Sequence, residues 1–314
     1  MLRSFKDVLD SAKGRGPIRV AVAAAQDPEV MEAIQAGIQA NLIEAILVGD
    51  ASLIGPMAKA LGITAQVRIV HEMDMAEASL LAAGCVRNGE AQVLMKGLVN
   101  SSTFLKAALD AERGLRSGRL LSHLVAMEIP GAPKLSFFTD GGMNIAPNLE
   151  EKKQILANAV EAMIQMGVEV PRVAVLCANE QVSPKMQATV DAQALVEAWE
   201  AGAFPDCIVE GPIAMDVALS PLAAQHKGLH SQISGDVDLF MMPNIEAGNM
   251  VTKVLLHYTA SKFGGVIVGA THPIVMVSRS NTAEDKLNAI AMAALVYRPA
   301  GSQLERAAQR TTSV

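Results

Sequence analysis

The chain has 314 residues, 51% of them hydrophobic and 18% charged, a balance that gives a well-buried globular protein with room for roughly two domains and excludes disorder. A formal net charge of −6, no extended basic block and 3% aromatic residues argue against a nucleic-acid groove, which needs positive charge and stacking faces. The longest apolar runs, such as residues 21–25 and 265–270, fall far short of the ~18 residues a spanning helix needs; the first residues lack the apolar core of an export signal, so the expected location is the cytoplasm.

Short β-like runs alternate with helical stretches along the chain. Residues 18–25 predict a strand, 28–40 a helix opened by Pro28 in its first turn, and 42–48 the next strand. Gly49-Asp50 turns the chain. Helices are expected over 54–61 and 76–88, with a short strand at 67–70 between them, and 93–95 reads as a buried strand. Further strands are expected at 134–138, 172–177, 207–210, 238–242 and 265–269. The clearest helix runs over 150–167, where Ile155, Ala159, Ala162, Met163 and Met166 share one side. A last strand at 274–277 precedes a helix that carries Leu287, Ile290, Ala291, Ala294 and Leu295 at helical spacing. Such alternation implies an α/β fold, a mostly parallel sheet with helices on both faces. A domain boundary is expected near Pro130-Gly131-Ala132-Pro133.

In open α/β sheets, ligands bind at the carboxyl ends of strands, and three such junctions are unusually polar. The first is Lys96-Gly97-Leu98-Val99-Asn100-Ser101-Ser102-Thr103. There a lysine, a glycine turn and hydroxyls suit a phosphoryl group held by backbone N–H groups. An ordinary cap by Ser101 or Ser102, with Lys96 reaching solvent, fits the same letters.

The second junction, Pro243-Asn244-Ile245-Glu246-Ala247-Gly248-Asn249, is expected to link a strand to a helix over 250–260. Glu246 is placed to orient a substrate or a lysine, and Gly248 permits a close backbone approach; a plain cap by Asn244 or Asn249 is the competing reading. The third junction is Ser278-Arg279-Ser280-Asn281-Thr282-Ala283-Glu284-Asp285, which sets a hydroxyl, a guanidinium and a carboxylate where a strand stops and a helix begins. A helix N-terminus favours an anion there. Thr282 and Asp285 also have the spacing of a helix cap and its partner.

Other motifs fail. No glycine-rich dinucleotide fingerprint or P-loop follows a strand. His226 and His230 have the spacing of a metal pair but lack the rest of a zinc-enzyme motif, and Cys85, Cys177 and Cys207 are too scattered for a disulfide framework or a zinc site. They are expected to be reduced core thiols, and the 17 methionines core filler.

Taken together, Leu94-Met95-Lys96-Gly97-Leu98-Val99-Asn100, Asn144-Ile145-Ala146-Pro147, Glu210-Gly211-Pro212-Ile213-Ala214-Met215-Asp216, Ser234-Gly235-Asp236-Val237-Asp238, Pro243 to Asn249 and Ser278-Arg279 resemble the phosphate acyltransferase family. That family includes phosphate acetyltransferase and phosphate butyryltransferase. The Lys96-Gly97 segment and Asn144-Ile145-Ala146-Pro147 look closer to the butyryltransferase branch.

The resemblance implies a two-domain α/β protein related in fold to isocitrate and isopropylmalate dehydrogenases, with the active site in the interdomain cleft and usually a homodimer. Residues 1–130 with 271–314 would form one domain and 131–270 the other. It implies reversible transfer of a short acyl group, acetyl or butyryl, between coenzyme A and phosphate, with coenzyme A as a substrate and no metal or redox cofactor. The family's serine, arginine and aspartate fall on Ser278, Arg279 and Asp285, while Ser280-Asn281 is a stretch where relatives vary. Contacts to phosphate or coenzyme A are expected from Lys96, Gly97, Asn100, Ser101, Ser102, Thr103, Glu246, Gly248 and Asn249.

In the mechanism expected, Asp285 accepts the coenzyme A thiol proton, Arg279 holds the phosphate, and Ser278 orients the thiol or stabilises the oxyanion. Two other classes fit an anion site on this fold: a non-catalytic two-lobed binding protein and an NAD-dependent dehydrogenase.

Overall fold

The computed structural model describes residues 2–278 and 281–299. From the N-terminus, α1 (Phe5–Lys13) leads to β1 (Ile18–Ala23), α2 (Pro28–Gln39), β2 (Ile43–Gly49), α3 (Ala51–Ala60), β3 (Val67–His71), α4 (Met75–Arg87), β4 (Val93–Lys96) and α5 (Ser101–Ala108). Two strands follow, β5 (Ser122–Glu128) and β6 (Ser136–Thr139), then α6 (Leu149–Met166), β7 (Arg172–Leu176), α7 (Gln187–Glu200) and β8 (Ile208–Ile213). Next come α8 (Met215–Leu219), α9 (Pro221–His226), β9 (Leu239–Met241), α10 (Ile245–Tyr258), β10 (Lys262–Val268), β11 (Ile274–Val275) and α11 (Ala283–Val296).

Among the described residues, the strands join one 11-stranded sheet in the order β3-β2-β1-β4-β11-β10-β5-β6-β9-β7-β8. Its neighbours run parallel except β11–β10, β10–β5 and β5–β6. The mostly parallel α/β sheet expected from the alternating pattern is therefore present. Among the described residues, no helix is long and apolar enough to cross a membrane.

Period-2 alternation sorts β1 between two cores. Val20 and Val22 join the larger cluster with Val30, Met31 and Ile34 of α2. Ala21 and Ala23 face the other way, against Ala78, Ala82 and Ala83 of α4 and Phe104 of α5. Small residues on both sides of that second interface let helix and strand approach closely, and each fully buried Val or Leu contributes about 1.5–3 kcal/mol. A sheet covered on both faces gives the near-continuous apolar strands read from the sequence.

Several boundaries differ from expectation. β5 has no counterpart among the expected strands, because its polar ends, Ser122-His123 and Glu128, leave only a short apolar run. The Pro130–Pro133 stretch connects β5 to β6. The strand expected at 134–138 begins at Ser136, because Lys134 turns aside to bond Asp238 (2.5 Å). β11 stops at Val275, before Met276 and Val277.

The helix expected over 250–260 begins at Ile245. Asn244 caps it, its side chain accepting the Ala247 N–H at 3.0 Å, which puts Glu246, Gly248 and Asn249 inside the first turns of α10 and corrects the loop reading. α9 ends at His226, so His226 and His230 do not share a helix.

Candidate functional site

Register brings two of the polar junctions together. β4 and β11 are parallel neighbours with Met95 beside Val275, so the chain leaves both strands at the same edge of the sheet. An open hollow of about 460 Å³ lies there, lined by Lys96, Val99, Asn100, Ser101, Val277 and Ser278.

The β4 side is built by close backbone contact. Gly97 N–H donates to the Ala23 carbonyl at 2.8 Å and Leu98 N–H to the Ala24 carbonyl at 2.7 Å. A Cβ on Gly97 would stand 2.2 Å from the Ala24 oxygen, so only glycine fits. Gly97 thus contributes by shaping the loop. Lys96 is buried, and its Nζ donates to the carbonyls of Val99 at 3.0 Å and Gly97 at 3.3 Å. A buried ammonium held this way carries positive charge to the wall of the hollow.

Asn100, not Ser101 or Ser102, caps α5: its Oδ1 accepts Thr103 N–H at 2.8 Å and the Ser102 hydroxyl at 2.9 Å. That leaves Ser101, the first residue of the helix, lining the hollow beside Lys96. The first-turn N–H groups and the helix dipole favour an anion there.

On the β11 side, Ser278 and Asn281 bond to each other twice. Asn281 N–H donates to the Ser278 carbonyl at 3.1 Å, and Ser278 N–H donates to Asn281 Oδ1 at 3.0 Å. Arg279 and Ser280 lie outside the described residues. Asn281 Nδ2 in turn donates to Asp285 Oδ2 at 3.1 Å.

Asp285 is the third helical residue of a capping box. Its Oδ2 accepts Thr282 N–H at 3.1 Å, while Thr282 Oγ1 accepts Asp285 N–H at 3.1 Å. Oδ1 accepts Phe263 N–H from β10 at 3.3 Å. The carboxylate therefore seats α11 against the sheet and touches the Ser278 loop through Asn281. Lys286, buried, binds the Asn281 carbonyl and pairs with Glu29 of α2 at 2.8 Å.

The second junction reaches this region by another route. Asn249 Nδ2 donates to the Gly141 carbonyl at 3.2 Å, and a Cβ on Gly248 would lie 2.7 Å from Gly141 Cα, so α10 starts pressed onto the Asp140–Asn144 turn. Met143 in that turn packs on the same apolar cluster as Val99 and Met276. Glu246 is exposed in the first turn of α10. Gly97, Ser102, Thr103, Glu246, Gly248, Asn249 and Asp285 are not among the residues that line the hollow.

Asn281 and the two wall valines, Val99 and Val277, were not among the residues singled out from sequence for this site. The three-residue spacing of Ser278 and Asn281 is the signal that finds Asn281; the valines have none, since they look like any core valine. Among the described residues, no cluster of three or more His, Cys, Asp or Glu is arranged to hold a metal.

Residues 57–294 match the phosphate acetyl/butaryl transferase family. The chain is 42% identical to the phosphate butyryltransferase of Clostridium acetobutylicum over 94% of this chain and 99% of that one. The chain belongs to this phosphate acyltransferase family. Identity to the phosphate acetyltransferase of Thermotoga maritima is 35%, over 93% and 99% of the two chains, so this acyltransferase stands nearer that butyryl enzyme than that acetyl one. Among solved structures, a branched-chain phosphotransacylase from Enterococcus faecalis V583 superposes with a TM-score of 0.80 at 30% identity, covering 90% of this chain and all of the other. The 4-hydroxythreonine-4-phosphate dehydrogenase of Klebsiella pneumoniae shares the fold alone, with a TM-score of 0.58 at 11% identity over 90% and 99% of the two chains. The dehydrogenase alternative is thus supported by architecture only.

Proposed function

We propose that this enzyme transfers a short acyl group, butyryl in preference to acetyl, between coenzyme A and inorganic phosphate, and that it does so in the hollow between β4 and β11. The observation that carries the reading is the meeting of Lys96, Asn100 and Ser101 with Ser278 around one opening. The phosphoryl group sits against the Lys96 ammonium and the start of α5. Arg279, next in the chain to Ser278, supplies the planar donor fork that Lys96 lacks.

In the direction that forms acyl-CoA, the thiol sulfur attacks the carbonyl carbon of the acyl phosphate. A C–S bond forms, the C–O bond to phosphate breaks, and the thiol proton ends on the released phosphate. Asp285 accepts and returns that proton, and Ser278 hydrogen-bonds the developing oxyanion. No oxidation or reduction occurs. Coenzyme A is a substrate, and no resident cofactor is required. Glu246, Gly248 and Asn249 complete the coenzyme A site from the start of α10, and Ser102 and Thr103 from α5.

The proposed location is the cytoplasm, with two domains, 1–130 plus 271–314 and 131–270. The proposed assembly is a homodimer. Met250, Val254 and Tyr258 are exposed one turn apart along α10, an apolar stripe suited to a second copy.

The test is to incubate the protein with acetyl-, butyryl- and isobutyryl-CoA, with and without phosphate, and follow free thiol. Phosphate-dependent release, fastest with a four-carbon chain, is expected; release without phosphate, or none, overturns the reading.

A further inference from the structure

Asn281 occupies a position that calls for an acceptor and a donor together. The Ser278 backbone N–H can only donate, and it donates to Asn281 Oδ1 at 3.0 Å. The Asp285 carboxylate can only accept, and it accepts from Asn281 Nδ2 at 3.1 Å. One end of the side chain must therefore be an acceptor and the other a donor, which fixes the orientation of the amide on chemical grounds. Asn281 itself is buried, between an exposed Ser278 and a half-buried Asp285.

Its main chain is tied as firmly. Asn281 N–H returns a bond to the Ser278 carbonyl at 3.1 Å, and its own carbonyl accepts from the buried Lys286, itself paired with Glu29 at 2.8 Å. Both backbone polar groups of Ser278 thus end on one residue, and that residue is anchored to α11 through Asp285 and to α2 through Lys286 and Glu29.

We propose that Asn281 is a positioning residue for acyl transfer: it fixes the Ser278 backbone at the hollow that Ser278 lines, by linking Ser278 to Asp285. The inference rests on the proposed role of the hollow. It adds a residue that does not touch substrate, and it gives Asp285 a structural handle on the chemistry. Preorganisation of this kind acts on the transition state, because a hydroxyl displaced by a fraction of an ångström still permits binding while the oxyanion loses its donor.

Two substitutions test it. Asn281→Ala removes both contacts, and kcat is expected to fall by about 10–100-fold with the KM for coenzyme A changed less than threefold. Asn281→Asp keeps the acceptor for Ser278 N–H but sets a second carboxylate against Asp285. The charged groups in contact with it are Asp285 and Lys286 of α11, the latter paired with Glu29 of α2. Two opposed carboxylates share one proton readily, so Asn281→Asp should be slower than the wild type at neutral pH and recover as pH falls, a profile that Asn281→Ala does not show. Circular dichroism and the unfolding midpoint are read on each variant.

Wild-type kcat in a folded Asn281→Ala, or identical pH profiles for the two variants, overturns the inference and leaves the proposed function standing. A loss confined to thermal stability also overturns it. A wild-type protein with no phosphate-dependent thiol release overturns both.

Discussion

Lys96, the last residue of β4, and Ser278, just past the end of β11, face one hollow because their strands are parallel neighbours in register, Met95 beside Val275. Neither residue is near the other in sequence. The relationship depends on the sheet order, in which β11 inserts beside β4 after the chain has built β5 to β10.

Replacing Lys96 by alanine tests the phosphate side. The ammonium holds the Val99 and Gly97 carbonyls and faces the hollow. Lys96→Ala is expected to raise the KM for phosphate and lower kcat, together about 10²-fold or more in kcat/KM. Steady-state assays with phosphate as the varied substrate check this, and unchanged constants in a folded variant would remove Lys96 from the site.

Gly97→Ala tests the loop rather than the charge. Its methyl would lie 2.2 Å and 2.7 Å from the backbone oxygens of Ala24 and Ala23, and backbone cannot rotate away as a side chain can. A destabilisation of about 1–3 kcal/mol or more in urea is expected, with activity lost in parallel because Lys96 and Val99 move with the loop.

Asp285 separates capping from chemistry. Asp285→Asn retains an acceptor for the helix start but loses the carboxylate, whereas Thr282→Ala removes the acceptor of the Asp285 N–H, a cap worth about 0.5–2 kcal/mol, and leaves the carboxylate in place. Turnover should fall by about 10²-fold in the first and stay within about twofold in the second. Equal effects on stability with wild-type turnover in both would reduce Asp285 to a cap.

His123 gives a pH dependence of stability. Burial holds its imidazole below the ordinary value while Asp140 pulls the other way, and its Nε2 is buried without a partner. The unfolded chain takes up a proton near pH ~6.5 that the folded protein resists. Stability should therefore be fully present above pH ~6.5 and fall as pH drops below it, until the folded value is reached. His123→Gln is expected to flatten that fall in urea titrations between pH 8 and pH 5, even where it lowers stability throughout; parallel curves would contradict it.

The protein's own thiols should stay silent in a thiol-release assay. Burial pushes Cys177 and Cys207 up to about 11 and raises Cys85 as well, so little thiolate is present near neutral pH. Ellman's reagent should react slowly with the native protein and titrate all three cysteines in guanidinium. Rapid native reaction would contradict the burial.

Much of the fold was legible from local pattern. β1, β2 and α2 were found within a residue or two because apolar runs, the Asp27-Pro28 start of α2 and Gly49 mark their ends. β5 escapes because its polar ends break the run, and the expected start of α10 falls five residues late because Gly248 reads as a loop signal, whereas it is glycine to meet the backbone of Gly141. At the candidate site, both polar junctions were visible separately. Their meeting was not, since no local pattern encodes which strand lies beside β4. Asn281 was passed over because its role depends on two partners that only the folded turn brings to either end of its amide.

Acyl transfer at Ser278 is tested most directly by comparing wild type with Ser278→Ala, using butyryl-CoA and phosphate and following free thiol. This substitution removes the hydroxyl and keeps the backbone N–H that Asn281 holds, so the loop is retained. Wild type should release thiol only when phosphate is present, and Ser278→Ala should do so about 10²-fold more slowly with an unchanged unfolding midpoint. Thiol release at the wild-type rate by Ser278→Ala, or no phosphate-dependent release by wild type, would contradict it.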